Sequence, residues 1–203
     1  MATLLDIRTA IKGALIIEGT EEDALIDNAI RAAIRLMQRK RFWFLHKITT
    51  VTLSSGALSV SVPDDFAMMD TVGLIDGTNR YTENNGFALL EYDNFKDQYL
   101  TTNIAYQGRP LACSLFNKTL YASHAPSADT TLEFTYYKKD ITLPTADGDM
   151  SVWFDEGYDV IRSLAQYVYE KEWRGNPDAD QAITLTYQKQ LKNDHQFYER
   201  GVY

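Results

Sequence analysis

A double change of hydrophobic period constrains this chain more than any other feature. From Leu4 to Met37 apolar residues recur every three or four positions. Over Ile48 to Ile75 and again over Leu111 to Tyr136 short alternating runs replace that spacing, and from Phe154 the helical spacing returns. A period of 3.6 lines one helical stripe with apolar side chains, and a period of 2 lines one sheet face. Helices must therefore flank a strand block. Each outer helix has a stripe to bury and must bury it against the others. This predicts an α+β fold: a discontinuous helical bundle, built from N-terminal and C-terminal helices, with an inserted β-rich module. The expected parts are residues 1–43 (N-terminal helices of the bundle), 44–150 (inserted β-rich module) and 151–203 (C-terminal helices and tail completing the bundle).

Leu4, Ile7, Ile11 and Leu15 define the first helix. The second is expected to start at Thr20 as N-cap, with Asp23 completing a capping box, and to end in Arg39, Lys40 and Arg41. Leu25, Ile26, Ile30, Ala33, Ile34 and Met37 form its stripe. The period changes at Phe42-Trp43-Phe44-Leu45. Ile48, Thr50 and Thr52, then Leu58, Val60 and Val62, read as strands around Ser54-Ser55-Gly56-Ala57. Met68 to Ile75 reads as a third strand, closed by the turn Asp76-Gly77. Tyr92 to Leu100 fits a short helix. Strands resume over Leu111–Phe116, turn at Asn117-Lys118, return over Leu120–Ala122, and end with Thr131–Tyr137, whose Leu132, Phe134 and Tyr136 share a face. A helix over Phe154–Trp173 is expected to stop at Gly175, and a last one to open at Pro177.

Composition narrows the chemistry. The net charge of −8 offers little general attraction for nucleic acid or an anionic membrane. One cysteine, Cys113, rules out an intrachain disulfide and a thiolate-rich zinc site. Met1 to Arg8 lacks the basic and apolar stretches of a signal peptide, and no segment has the roughly 20 apolar residues of a membrane span. His46, His124 and His195 have no metal-site spacing and read as isolated histidines. Cys113 reads as a buried thiol. The acidic pairs Asp64-Asp65, Asp147-Gly148-Asp149 and Asp155-Glu156 sit where turn-forming or capping acids are common. Nothing resembles a phosphate loop or a Ser-His-Asp order, so no catalytic residue, metal or cofactor is expected.

Two features point to surfaces instead. Arg31, Arg35, Arg39, Lys40 and Arg41 gather on the second helix near Trp43, as a solvated face or a contact to an acidic partner. Thirteen tyrosines suit partly wet interfaces. Among them Tyr198 and Tyr203 lie at or beyond the last helix and are candidates for docking into a neighbour.

The arrangement resembles the head-to-tail adaptor, or tail accessory, family of tailed phages. The likeness rests on Ala24-Leu25-Ile26-Asp27-Asn28-Ala29-Ile30-Arg31 running into Phe42-Trp43-Phe44-Leu45. It rests also on Val60-Ser61-Val62-Pro63-Asp64-Asp65-Phe66, similar to that family's strand ending in a Pro-x-Asp-Phe turn. Phe134-Thr135-Tyr136-Tyr137-Lys138-Lys139 and a closing helix pair with Ala165, Tyr167, Tyr169, Tyr187 and Leu191 complete it. Each motif is weak alone, and their order along nearly the whole chain carries the likeness. The sequence departs from it in having only a short tail after the last helix.

The resemblance implies a structural, non-enzymatic connector of the virion head–tail junction, made in the host cytoplasm. It would form a ring of twelve copies under the portal protein, starting as a free monomer. It would dock the downstream tail protein (nozzle, tube or stopper). Double-stranded DNA would pass through it without sequence-specific binding, helped by an acidic lumen, and no membrane is involved. Arg31, Arg35, Arg39, Phe197, Tyr198, Val202 and Tyr203 are the expected portal or neighbour interface. Two other readings stay open on sequence. One is a carbohydrate- or receptor-binding tail module on the strand block, marked by exposed tyrosines over residues 79–108. The other is a cell-wall glycan hydrolase, which needs two carboxylates converging in one cleft.

Overall fold

The computed structural model describes residues 2–100, 107–140 and 142–176. The chain divides into two compact units: Met1–Phe44 with the chain from Asp140 onward, and Leu45–Lys139. The strand block is thus threaded between the two halves of a helical unit, in an α+β arrangement with helices at both ends. Residues 140–150 belong by their contacts to the helical unit.

In the helical unit, α1 (Leu4–Leu15) starts on a capping box. The Asp6 N–H donates to the Thr3 hydroxyl and the Thr3 N–H donates to the Asp6 carboxylate, at 3.3 and 2.8 Å. The box expected at Thr20 and Asp23 does not form. Helix α2 (Asp23–Met37) begins after Glu22 with no side-chain cap. The Asp23 carboxylate is instead taken by Lys12, at 2.6 Å, and by Arg8, at 3.4 Å. Nor does α2 reach Arg39, Lys40 and Arg41. The Lys40 N–H turns back to the Met37 carbonyl at 2.8 Å, and Phe42 is then drawn into the core.

The expected helix from Phe154 to Trp173 is two helices, α4 (Val152–Asp155) and α5 (Tyr158–Glu172), with a break at Gly157; the label α3 belongs to a short helix of the other unit (Tyr92–Phe95). The break lies where only glycine fits. Trp153 is fully buried, edge-on to Phe42 and Phe44 at centroid distances of 5.2 and 5.0 Å. A side chain at 157 would lie 2.9 Å from its ring. Gly175, at φ +61°, closes α5, and the Asn176 N–H reaches the Glu170 carbonyl at 3.1 Å. Helix α2 lies against α5 and α1 touches both, so Ile7, Ile11, Ile26, Ile30, Ile34, Ile161 and Ala165 are fully buried. The helix expected from Pro177 lies outside the described residues.

Among the described residues the second unit holds two four-stranded sheets. One is ordered β1 (His46–Leu53), β8 (Thr130–Lys138), β3 (Phe66–Asp76), β4 (Asn79–Tyr81), all antiparallel. The other is ordered β2 (Ser59–Ser61), β7 (Thr119–Ala122), β6 (Ala112–Phe116), β5 (Ala88–Leu89), with β5 parallel to β6. One apolar cluster draws on both, including Leu53, Phe66, Leu74, Phe87, Cys113, Leu120, Leu132, Phe134 and Tyr136. The expected Leu132-Phe134-Tyr136 face is therefore its core face. On β1 the alternation carries the opposite sense: Ile48, Thr50 and Thr52 are exposed, and Leu53 turns inward. Asn117 and Lys118 both adopt positive φ, the backbone a two-residue hairpin needs to match strand twist.

Candidate functional site

Among the residues singled out by sequence, most of those that could do chemistry are committed to structure. Burial raises the Cys113 thiol to about 12, far from the thiolate a nucleophile requires. The Asp65 carboxylate accepts from the Tyr136 hydroxyl at 2.8 Å and from Lys47 at 3.2 Å. Partial burial works against its charge, but these two partners prevail and hold it below the ordinary range. Asp149 accepts from the backbone N–H groups of Thr145 and Ala146, at 2.7 and 2.8 Å, which closes the turn before α4. Asp155 accepts from the Ala2 N–H at 2.8 Å. His124 shares a hydrogen bond with Ser123 at 3.0 Å, and His46 lies 3.4 Å from Asp70. His195 falls outside the described residues. No group of three His, Cys, Asp or Glu side chains among the described residues could hold a metal ion, and no described helix is long and apolar enough to cross a membrane.

A groove of about 300 Å³ in the β unit is lined by Asp70, Thr71, Gly73, Arg80, Glu83 and Glu133, among others. Of its acids, Glu133 is ion-paired with Arg80. The tyrosines divide. Tyr136, Tyr137 and Tyr169 are core. Tyr92 stacks on the half-exposed Phe116 at 4.1 Å, and Arg109 sits 4.0 Å over Tyr81.

The strongest surface feature lies on the helical unit. Helix α2 buries Ile26, Ala29, Ile30, Ala33, Ile34 and Met37, so its opposite face must carry the polar residues. Arg35 and Leu36 are exposed there, followed by exposed Arg39 and Trp43. Residues 28–44 contain five cations and no acid. The expected interface residues separate accordingly. Arg31 is half-buried and tied inward, donating to Asn28 at 2.8 Å and to the Pro144 carbonyl at 3.3 Å. Arg35 and Arg39 stand at the surface, with two large apolar neighbours the expectation did not include, Leu36 and Trp43. Phe197, Tyr198, Val202 and Tyr203 lie outside the described residues.

Sequence reasoning also missed a polar strut inside the helical unit. Arg8 is buried and meets Asp27 through two parallel bonds, Nε–Oδ1 at 2.8 Å and Nη2–Oδ2 at 3.0 Å. It reaches Asp147 and Asp23 as well. Burial opposes its charge, but the carboxylates outweigh burial and push the guanidinium's affinity for its proton up. The signal was present: Arg8 follows Leu4 by four, and Asp27 lies beside Ile26, so opposite charges occupy the buried faces of two adjacent helices.

The family model described as SU10 adaptor protein matches residues 2–198, taking in both units. No curated protein matches the chain.

Proposed function

The chain belongs to the SU10 adaptor protein family, a phage structural adaptor family, and on that premise we propose that it is the connector ring of the virion head–tail junction. It binds the portal protein on one side and the next tail component on the other. About twelve copies close the ring, and genome DNA passes through it without sequence-specific contact. The observation that carries this reading is a family match running across the helical halves and the strand block alike. The charge balance agrees: a chain of net charge −8 repels phosphate rather than gripping it. A ring also multiplies modest contacts, so each interface can be small.

The interface proposed for the portal or the neighbouring copy comprises Arg31, Arg35, Arg39 and the C-terminal Phe197, Tyr198, Val202 and Tyr203. Deleting residues 197–203 is expected to leave the fold intact and to weaken portal binding. Native mass spectrometry of the chain, alone and mixed with its portal ring, tests the whole reading. A discrete set of copies on the portal supports it and gives the stoichiometry. An absence of binding to portal or to any tail component refutes it.

A further inference from the structure

Resting on the ring reading, we infer that neighbouring copies join head to tail through the two ends of α2, the basic end of one copy seated on the acidic end of the next. The charge distribution motivates this. Residues 28–44 hold five of the 20 cations and none of the 28 acids, so the rest of the chain has 15 cations against 28 acids, a balance of −13. A two-fold contact through the basic patch would set like charge on like charge. A heterologous contact sets the patch against acid, and heterologous contacts are those that close into rings.

The acidic end is specified by a second, independent observation. Ile16, at the C-cap of α1, has φ +55° and is 87% exposed. Left-handed backbone disfavours a β-branched residue, and helices that end this way usually use glycine. An isoleucine held there and turned to solvent gains nothing from its own fold. It is a knob presented outward, followed along the chain by the exposed Glu18 and Glu21. The other end matches it in kind. Arg35 and Arg39 supply the opposite charge, and Leu36 and Trp43, 45% and 43% exposed, supply apolar area. At 1.5 Å per residue, Glu21 and Arg35 stand about 20 Å apart along the helix direction. The patches therefore do not neutralise each other within one copy.

Charge exchange in the full-length chain tests this. R35E/R39E reverses the two exposed charges proposed to bind at the basic end, and E18K/E21K reverses the two at the acidic end. Each variant alone is expected to lose about tenfold or more in self-association, read by sedimentation velocity and by ring completion on the portal. An equal mixture should recover wild-type assembly with the two variants in equal number, because each reversed pair of residues again faces its opposite charge. Raised salt should weaken wild-type association, since these charges are exposed. Ile16→Gly should keep or raise thermal stability while weakening association. Either charge variant assembling alone like wild type, a mixture that stays apart, or a wild-type chain that never self-associates with or without portal overturns the inference. Portal binding by single copies of a variant, without ring completion, is the result this contact predicts, whereas loss of portal binding by the wild type removes the adaptor reading itself.

Discussion

Replacing Arg8 by methionine tests the polar strut of the helical unit quantitatively. Arg8→Met keeps most of the apolar stem and removes the guanidinium. Asp27, 8% exposed, then loses both of its parallel bonds, and its carboxylate stays on the buried face of α2. Leaving one partner of a buried ion pair uncompensated costs about 3–5 kcal/mol. Asp147 is largely exposed and is rehydrated when Arg8 is lost, and Lys12 still holds Asp23. The lower end, about 3 kcal/mol, is therefore expected. The assay is selective, because Trp43, Trp153 and Trp173 are the only tryptophans and all lie in the helical unit. With a urea slope of about 2 kcal/mol per molar, the tryptophan-detected midpoint should fall by about 1.5 M. Removing both charges, in Arg8→Met with Asp27→Leu, should recover most of the loss, since replacing a whole buried pair by apolar groups is often neutral. A single variant costing under about 1 kcal/mol, or a double variant no better than the single, would refute the reasoning.

Three further outcomes follow from the geometry. Gly157→Ala should cost about 1–3 kcal/mol by tryptophan fluorescence, because the added methyl meets the Trp153 ring at 2.9 Å inside a filled aromatic cluster; a neutral effect would show the cluster to be loosely filled. Asp65 has its pKa lowered in the folded chain, so it adds stability above its ordinary value of 3.8, and that stability is lost as pH falls through the lowered value. Asp65→Asn should thus flatten the acid limb of a stability–pH profile, and an unchanged limb would count against the Tyr136 and Lys47 bonds. Cys113, buried and pushed up to about 12, should resist thiol reagents at pH 8 until urea opens the β unit, and prompt labelling of the native chain would contradict its place in the core.

The parts of the fold legible in the sequence are those written in local patterns. The stripes Leu4-Ile7-Ile11 and Ile26-Ile30-Ile34 bury as spaced, and Leu132, Phe134 and Tyr136 face one core. What escaped depended on contacts distant in sequence. Thr20 and Asp23 have capping-box spacing, but Lys12 and Arg8, on another helix, claim the Asp23 carboxylate. Phe154–Trp173 has unbroken helical period, but the helix breaks at Gly157, where Trp153 and Phe44 leave no room for a side chain. β1 alternates, but which face turns inward is fixed by β8 and the opposing sheet, so Ile48 is left outside. The candidate surface divides in the same way. Five cations between residues 31 and 41 could be counted in the sequence, whereas Arg31's commitment to Asn28 and Pro144, and the exposure of Leu36 and Trp43 beside Arg35 and Arg39, required the fold.

The two charged clusters of the helical unit also explain each other. Arg8 and Lys12 spend their charge inward on Asp23, Asp27 and Asp147, so the α1–α2 pair is fastened without the surface cations. Arg35 and Arg39 take no part in that joint and stand at the surface. Exposed cations such as these two gain little for the fold. Their place beside two exposed apolar side chains suits a partner that is acidic and apolar together. The Ile16–Glu18–Glu21 end of a neighbouring copy has that chemistry.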